Sequence, residues 1–150
     1  MFVTFDTLSN DSKVWIFQAN RLLDDAEVAL LMDKCKAFID SWTSHNTELK
    51  ASAIIKHQLF LIIGVDTLFA NASGCSIDKA FRFVQDIGAH LKIDFFNRLN
   101  IAIEGGNQIS IIKSQEITEQ QGEYFFDNRI ETKGELLTDW KKPLSQCWAL

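Results

Sequence analysis

The run "AEVALLMDKCKAFIDSW" sets apolar side chains at positions 28, 31, 32, 35, 38, 39 and 42, one stripe at the 3.6-residue period of an α-helix. Asp24 precedes it and Glu27 follows three residues later, as in a capping box, so the spacing predicts a helix opened by Asp24. A second stripe at 77, 80, 81, 84, 87, 88 and 91 predicts another helix over about Ser76 to Leu91. Around these helices the period changes to that of strands. "VWIFQA" (14–19) has the β-branched and aromatic content of one strand. "KASAIIKHQLFLIIGVD" reads as two strands meeting near His57 and Gln58. The second of them is apolar enough to be central and covered on both faces. "LNIAIEGGNQISIIK" (99–113) alternates on both sides of "EGGN", the clearest hairpin in the chain.

Strand, helix, strand, strand, helix, strand is the order of an α+β fold with a ferredoxin-like split βαβ core (β-α-β-β-α-β), here with an extra hairpin strand. One antiparallel sheet with both helices on one face is expected. Beyond residue 113, "EITEQQG" suits a short helix, "EYFFD" a strand, and "TKGELLTDW" a helix opened by Thr132 and Glu135. Pro143 should end that C-terminal helical extension, with Trp148 packing back on the body.

At 150 residues and 47% apolar composition, one domain with one real core is the expectation. The polar start, 1–13, reads as a poorly ordered or loosely attached segment. A net charge of −5 with no basic run disfavours nucleic acid and anionic membranes as partners. The longest apolar run, "LFLIIGV", falls far short of the roughly 20 residues of a membrane span. "MFVTFDTLSNDSK" lacks the features of a signal peptide, so a cytoplasmic location is expected. Cys35, Cys75 and Cys147 are odd in number and without CxxC spacing, against a disulfide framework or a zinc ribbon. The histidines 45, 57 and 90 form no metal pair, and no cofactor is expected.

Candidate chemistry gathers at "ASGCSID". A helix start carries unpaired N–H groups and partial positive charge, which stabilise a thiolate or an anion. Ser73, Gly74, Cys75, Ser76 and Asp78 therefore form a candidate ligand site, with the cap falling at Ser73, Gly74 or Ser76. Cys75 is a candidate nucleophile with His57 as the better available base. Against this, Asp78 in the first turn would raise a nearby thiol pKa, and Cys75 also reads as simple packing beside capping serines. Cys35, inside the first apolar stripe, reads as a small buried hydrophobe. Gly105 and Gly106 are explained by the hairpin, since neither GxxxxGK[ST] nor GxGxxG occurs.

"WIFQANR", "ASGCSID", "FFNRLNIAI" and "DNRIETKGELLTDWKKPLSQCW", in this order and spread over nearly the whole chain, resemble a family of small Bacteroidota proteins. Members carry the label "ABC transporter ATPase", yet this sequence has no Walker A loop, no LSGGQ-type signature and no Walker B strand. The resemblance directs attention to Gln18, Asn20, Arg21, Ser73, Cys75, Asp78, Arg98, Asn128, Lys133 and Trp140 as members of any shared site. If their segments converge, Arg21, Arg98 and Lys133 could hold an anion. The function expected is that of a non-enzymatic binding domain for a small anionic ligand or a protein partner, including a second copy of the chain. The alternatives are a thiol-dependent enzyme or redox protein using Cys75 and, following the label, an ATP-binding protein.

Overall fold

A computed structural model describes residues 1–150. In chain order its elements are β1 (Lys13–Gln18), α1 (Asp25–Asp40), β2 (Thr43–Ser44), β3 (Thr47–Glu48), β4 (Ala51–Lys56), β5 (Phe60–Val65), α2 (Gly74–Leu91), β6 (Asn100–Gly105), β7 (Gln108–Lys113), β8 (Tyr124–Phe126), α3 (Lys133–Thr138) and β9 (Lys141–Pro143). The fold is α+β, with three helices and antiparallel sheets. The expected single sheet is divided in two. β1, β5 and β4 form one, in the order β1-β5-β4, and β7-β6-β8-β9 form the other, while β2 and β3 are a small separate hairpin. β6 therefore does not complete the first sheet beside β1.

Register explains the layering. Phe17 lies opposite Leu61 and Trp15 opposite Ile63, so these side chains share a face. Phe17 meets Phe81 of α2 edge-on at 5.2 Å between centroids, so this face is covered by helix. Phe60, Ile62 and Gly64 point the other way. Phe60 packs on Phe126 of β8 and on Trp140, at 5.0 and 4.8 Å. All six residues of β5 are buried, as its composition predicts for a strand covered on both faces.

The helix starts follow their caps. Asp24 accepts from the Glu27 N–H at 2.8 Å, and the Glu27 carboxylate accepts from the Asp24 N–H at 3.0 Å. On α2 the cap is Ser73, whose Oγ accepts from the Ser76 N–H at 3.1 Å. The hairpins turn on pairs of left-handed residues: Gly106 and Asn107 between β6 and β7, and His57 and Gln58 between β4 and β5. The second pair lacks the usual glycine or asparagine. Its hold is external: Gln58 donates to Asp25 at 2.9 Å, and His57 rests against Phe126.

Segment 1–13, expected to be loose, is docked. Phe2 bridges Ala51 in parallel, and Phe5 and Leu8 are buried. They close over Gly64, where a Cβ would come within 2.9 Å of Leu8 Cδ1. The C-terminal helical extension is also corrected. α3 ends at Thr138, well before Pro143, which sits in the edge strand β9, where a missing N–H is tolerated. "EITEQQG" forms only a 3₁₀ turn at Glu119–Gln121.

A buried carboxylate fastens β8 to β9. Asp127 accepts from Arg129 Nε at 2.8 Å, Arg129 Nη2 at 3.0 Å and Lys142 Nζ at 2.6 Å, while its N–H donates to the Trp140 carbonyl. The Arg129 hydrogen bonds, followed by that from Lys142, hold its carboxyl well below the usual carboxylate range. A folded-state pKa below the unfolded one means the native state binds fewer protons, so this contribution is present above about pH 4 and is lost as pH falls through the folded pKa. Asp127→Asn is expected to cost about 2 kcal/mol at pH 7, a figure moderated by the exposure of Arg129 and Lys142. In urea unfolding the gap between variant and parent should narrow progressively below about pH 4; a gap independent of pH would contradict this role.

Candidate functional site

Where β6 leaves the plane of the first sheet, a cleft of about 960 Å³ opens along β1. The whole of β1, from Lys13 to Gln18, lines one side. α2 contributes Ile77 and Phe81, with Asn71 and Ala72 just before it. The connection into β6 and the start of that strand contribute residues 95–101, and the end of β8 with the stretch after it contributes Phe126 and 128–131. Trp148 stands at the mouth, 46% exposed, instead of packing fully on the body. Phe96 and Leu99 are likewise exposed.

The cleft has a built polar floor. Trp140 Nε1 donates to Asn128 Oδ1 at 2.9 Å, Asn128 Nδ2 donates to Gln18 Oε1 at 2.9 Å, and Gln18 Nε2 donates to the Asn100 carbonyl at 3.1 Å. These bonds run head to tail, so each amide is used at both of its ends. They join β1, β6 and the β8–β9 region across a gap in which no backbone hydrogen bonds link β1 to β6. Gln18 is 8% exposed, a polar side chain on the face it shares with Val14 and Phe60. That placement is the signal by which sequence reasoning could have found it: a glutamine at an inward position of an apolar strand needs a polar partner.

Cations gather at the cleft without matching anions. Lys13 and Arg98 line it, and neither takes part in an ion pair. Arg129 also lines it but is paired with Asp127. Glu131 is the single acidic lining residue.

The expected anion trio does not assemble. Arg21 is held in a two-pronged bond to Glu27, at 2.9 and 2.7 Å, and also donates to the Leu91 carbonyl at the end of α2. The Arg21 hydrogen bonds push the half-buried Glu27 carboxyl down to about 2. Lys133 is 5% exposed and donates to the carbonyls of Asp6 and Leu8 at 3.0 and 2.7 Å, beneath the Phe5 ring. Of the three, Arg98 alone lines the cleft. Asn20 accepts from the Asp94 N–H, a structural bond.

The proposed Cys75 and His57 pair is not formed either. Cys75 is exposed in the first turn of α2, which follows the Val65 end of β5, whereas His57 lies in the turn before Phe60. The length of β5, about 3.3 Å per residue over six residues, separates those ends. His57 packs over Phe126 and beside Trp140, and partial burial lowers its pKa. Ser73 and Ser76 spend their hydroxyls on each other and on the Ser73 carbonyl, and the Ser76 carbonyl accepts from Trp42 Nε1 at 2.8 Å. Gly74 leads that turn, and Asp78 is exposed without an ion pair. None of Ser73, Gly74, Cys75, Ser76 or Asp78 lines the cleft. No cluster of three His, Cys, Asp or Glu side chains is placed to hold a metal, and no helix is long and apolar enough to cross a membrane.

Comparison of the chain with protein-family models, curated proteins and solved structures gives no match.

Two measurements check this geometry. Gln18→Met keeps the bulk but strands the Asn100 carbonyl and the Asn128 amide, and is expected to lower stability by about 2 kcal/mol in denaturant unfolding. A loss under 0.5 kcal/mol would mean the chain of bonds is dispensable. Iodoacetamide should label Cys75 alone in the folded protein, since Cys35 is buried and its thiol is pushed up to about 12, and Cys147 is buried. Peptide mass spectrometry showing equal labelling of Cys35 would contradict the packing described.

Proposed function

We propose that this protein is a non-enzymatic binding module whose ligand enters the cleft between β1 and β6. On this reading the core is a ferredoxin-like split βαβ unit opened between its first and fourth strands, and the opening is the site. The observation that carries it is the combination of a 960 Å³ cleft, apolar walls from Ile16, Ile77, Phe81 and Ile101, and unpaired cations at Lys13 and Arg98. The volume lies at the upper end of the range of small-ligand pockets, about 300 to 1,000 Å³, which are mostly apolar with a few placed polar groups. Such a site favours a ligand with an apolar body and negative charge, because Lys13 and Arg98 supply charge-assisted hydrogen bonds. Catalysis has less support: neither a cysteine nor a histidine lines the cleft, and Cys75 lies outside it.

The probe that tests this is anilinonaphthalene sulfonate, which joins fused apolar rings to a sulfonate. It is expected to bind the folded protein at one site and to quench Trp15 and Trp148, both of which line the cleft. Ala72→Trp, which fills the cleft from the α2 side, should abolish binding, and Arg98→Glu should weaken it about tenfold, near 1.4 kcal/mol. Binding unaffected by both variants would place the probe elsewhere and overturn the reading.

A further inference from the structure

One border of the cleft is a strand whose pairing stops part-way. In β1 the Ala19 N–H, just past the strand, donates to Leu59, and the Val14 N–H donates to Glu131. Odd-numbered residues therefore turn their backbone groups toward β5 and even-numbered ones outward, as antiparallel alternation requires. The outer edge is occupied only at its beginning, where Lys133 N–H donates to the Ser12 carbonyl and Lys13 faces Thr132. There the pairing ends, because the Glu131 N–H turns to the Glu135 carboxylate at 3.3 Å. The Val14 carbonyl, both backbone groups of Ile16 and the Gln18 N–H are left facing the cleft with no partner in the fold.

Those groups discriminate between classes of ligand. A purely apolar molecule seated against β1 would strip them of water and leave them unpaired, at about 1–3 kcal/mol for each group. An extended peptide supplies the missing donors and acceptors in register. Its side chains would alternate above and below the plane of the sheet. One set would meet Phe81 and Phe96 on the helix side, and the other Ile101 and Ile130 on the side of the second sheet. Charge complementarity adds a requirement. In a chain of net charge −5, the cleft gathers the unpaired Lys13 and Arg98 against Glu131 alone, Arg129 being neutralised by Asp127, which favours a carboxylate on the incoming strand.

We propose, resting on the cleft reading above, that the occupant is an extended segment of a partner protein, alternating apolar residues with at least one Asp or Glu. It adds to the outer edge of β1 through the backbone of Val14, Ile16 and Gln18. The segment takes the place beside β1 that a fourth strand would fill in a continuous sheet.

The test begins with a random octapeptide phage library selected on the immobilised full-length protein, followed by synthesis of the recovered peptides. They should alternate apolar residues with Asp or Glu. Ile16→Pro removes an outward N–H together with the Ile16 side chain, at a position where an edge strand tolerates proline, so the fold should persist while peptide affinity falls at least tenfold below that of Ile16→Ala, which loses the side chain alone. N-methylation of alternate peptide residues should cause the same loss on the unmodified protein, which keeps the test decisive if Ile16→Pro fails to fold. Peptide binding unchanged by N-methylation would overturn strand addition. So would a library that yields no peptide while the sulfonate probe binds, an outcome that leaves the cleft as a small-molecule site. Failure of both the peptides and the probe would remove the cleft reading itself.

Discussion

Everything in this molecule is arranged around six apolar residues that cannot meet water on either side. β5, from Phe60 to Val65, is buried along its whole length. A strand of this kind has two faces to cover, each worth about 25 cal/mol per Å² of apolar area removed from water. The face of the sheet that carries Leu61, Ile63 and Val65 is covered by α1, packed on the neighbouring β4, and by α2, whose Phe81 meets Phe17 of β1. The opposite face has no helix of its own. It is covered by Phe5 and Leu8 from the beginning of the chain and by Phe126 and Trp140 from much further along. The second sheet is thus displaced from the plane of the first to serve as a lid over it. That displacement leaves the outer edge of β1 unpaired and opens the cleft.

The polar chain from Trp140 through Asn128 and Gln18 to Asn100 follows from the same displacement. Two sheets that no longer share backbone hydrogen bonds need another link at the point where they part. A fully satisfied run of side-chain bonds fixes their separation without filling the space between them, whereas a half-satisfied one would cost more than an apolar contact. The cleft is therefore bounded by a defined spacer at Gln18 at one end and by the pairing of Lys13 with Thr132 at the other.

Much of this was legible in local sequence. Asp24 with Glu27, and the stripes at a 3.6-residue period, mark α1 and α2 because caps and periodicity act over a few residues. The burial of β5 was readable from its unbroken apolar run. The same local reading misplaced other parts. Phe5 and Leu8 sit in a polar stretch, and their burial depends on Gly64, more than fifty residues away. The Thr132 cap of α3 was right, although the Glu135 carboxylate accepts from the Glu131 N–H and so does not complete a capping box, and nothing local tells that Lys141 to Pro143 pair with β8. Cys75 drew attention because a helix start has known chemistry, and the structure leaves it exposed beside no base. Gln18, Asn128 and Trp140 stood out only as unassigned polar positions, since their meaning lies in a contact spanning 110 residues.

Lys133 brings a consequence for the order in which the chain acquires its structure. Its ammonium group holds the carbonyls of Asp6 and Leu8 across 127 and 125 residues. Contacts so distant in sequence are closed late, after the loop entropy of the intervening chain has been overcome. During synthesis β1, α1, β4, β5 and α2 all emerge before residue 133, so the helical side of the sheet is assembled first. Until β8 and Trp140 arrive, Phe60 lacks its cover on the face that Phe5 and Leu8 close only around Gly64, and the nascent protein presents apolar sheet surface with an open edge. The interval between residue 91 and residue 140 is thus the period of greatest exposure to aggregation, and the stage at which a chaperone would have most to hold.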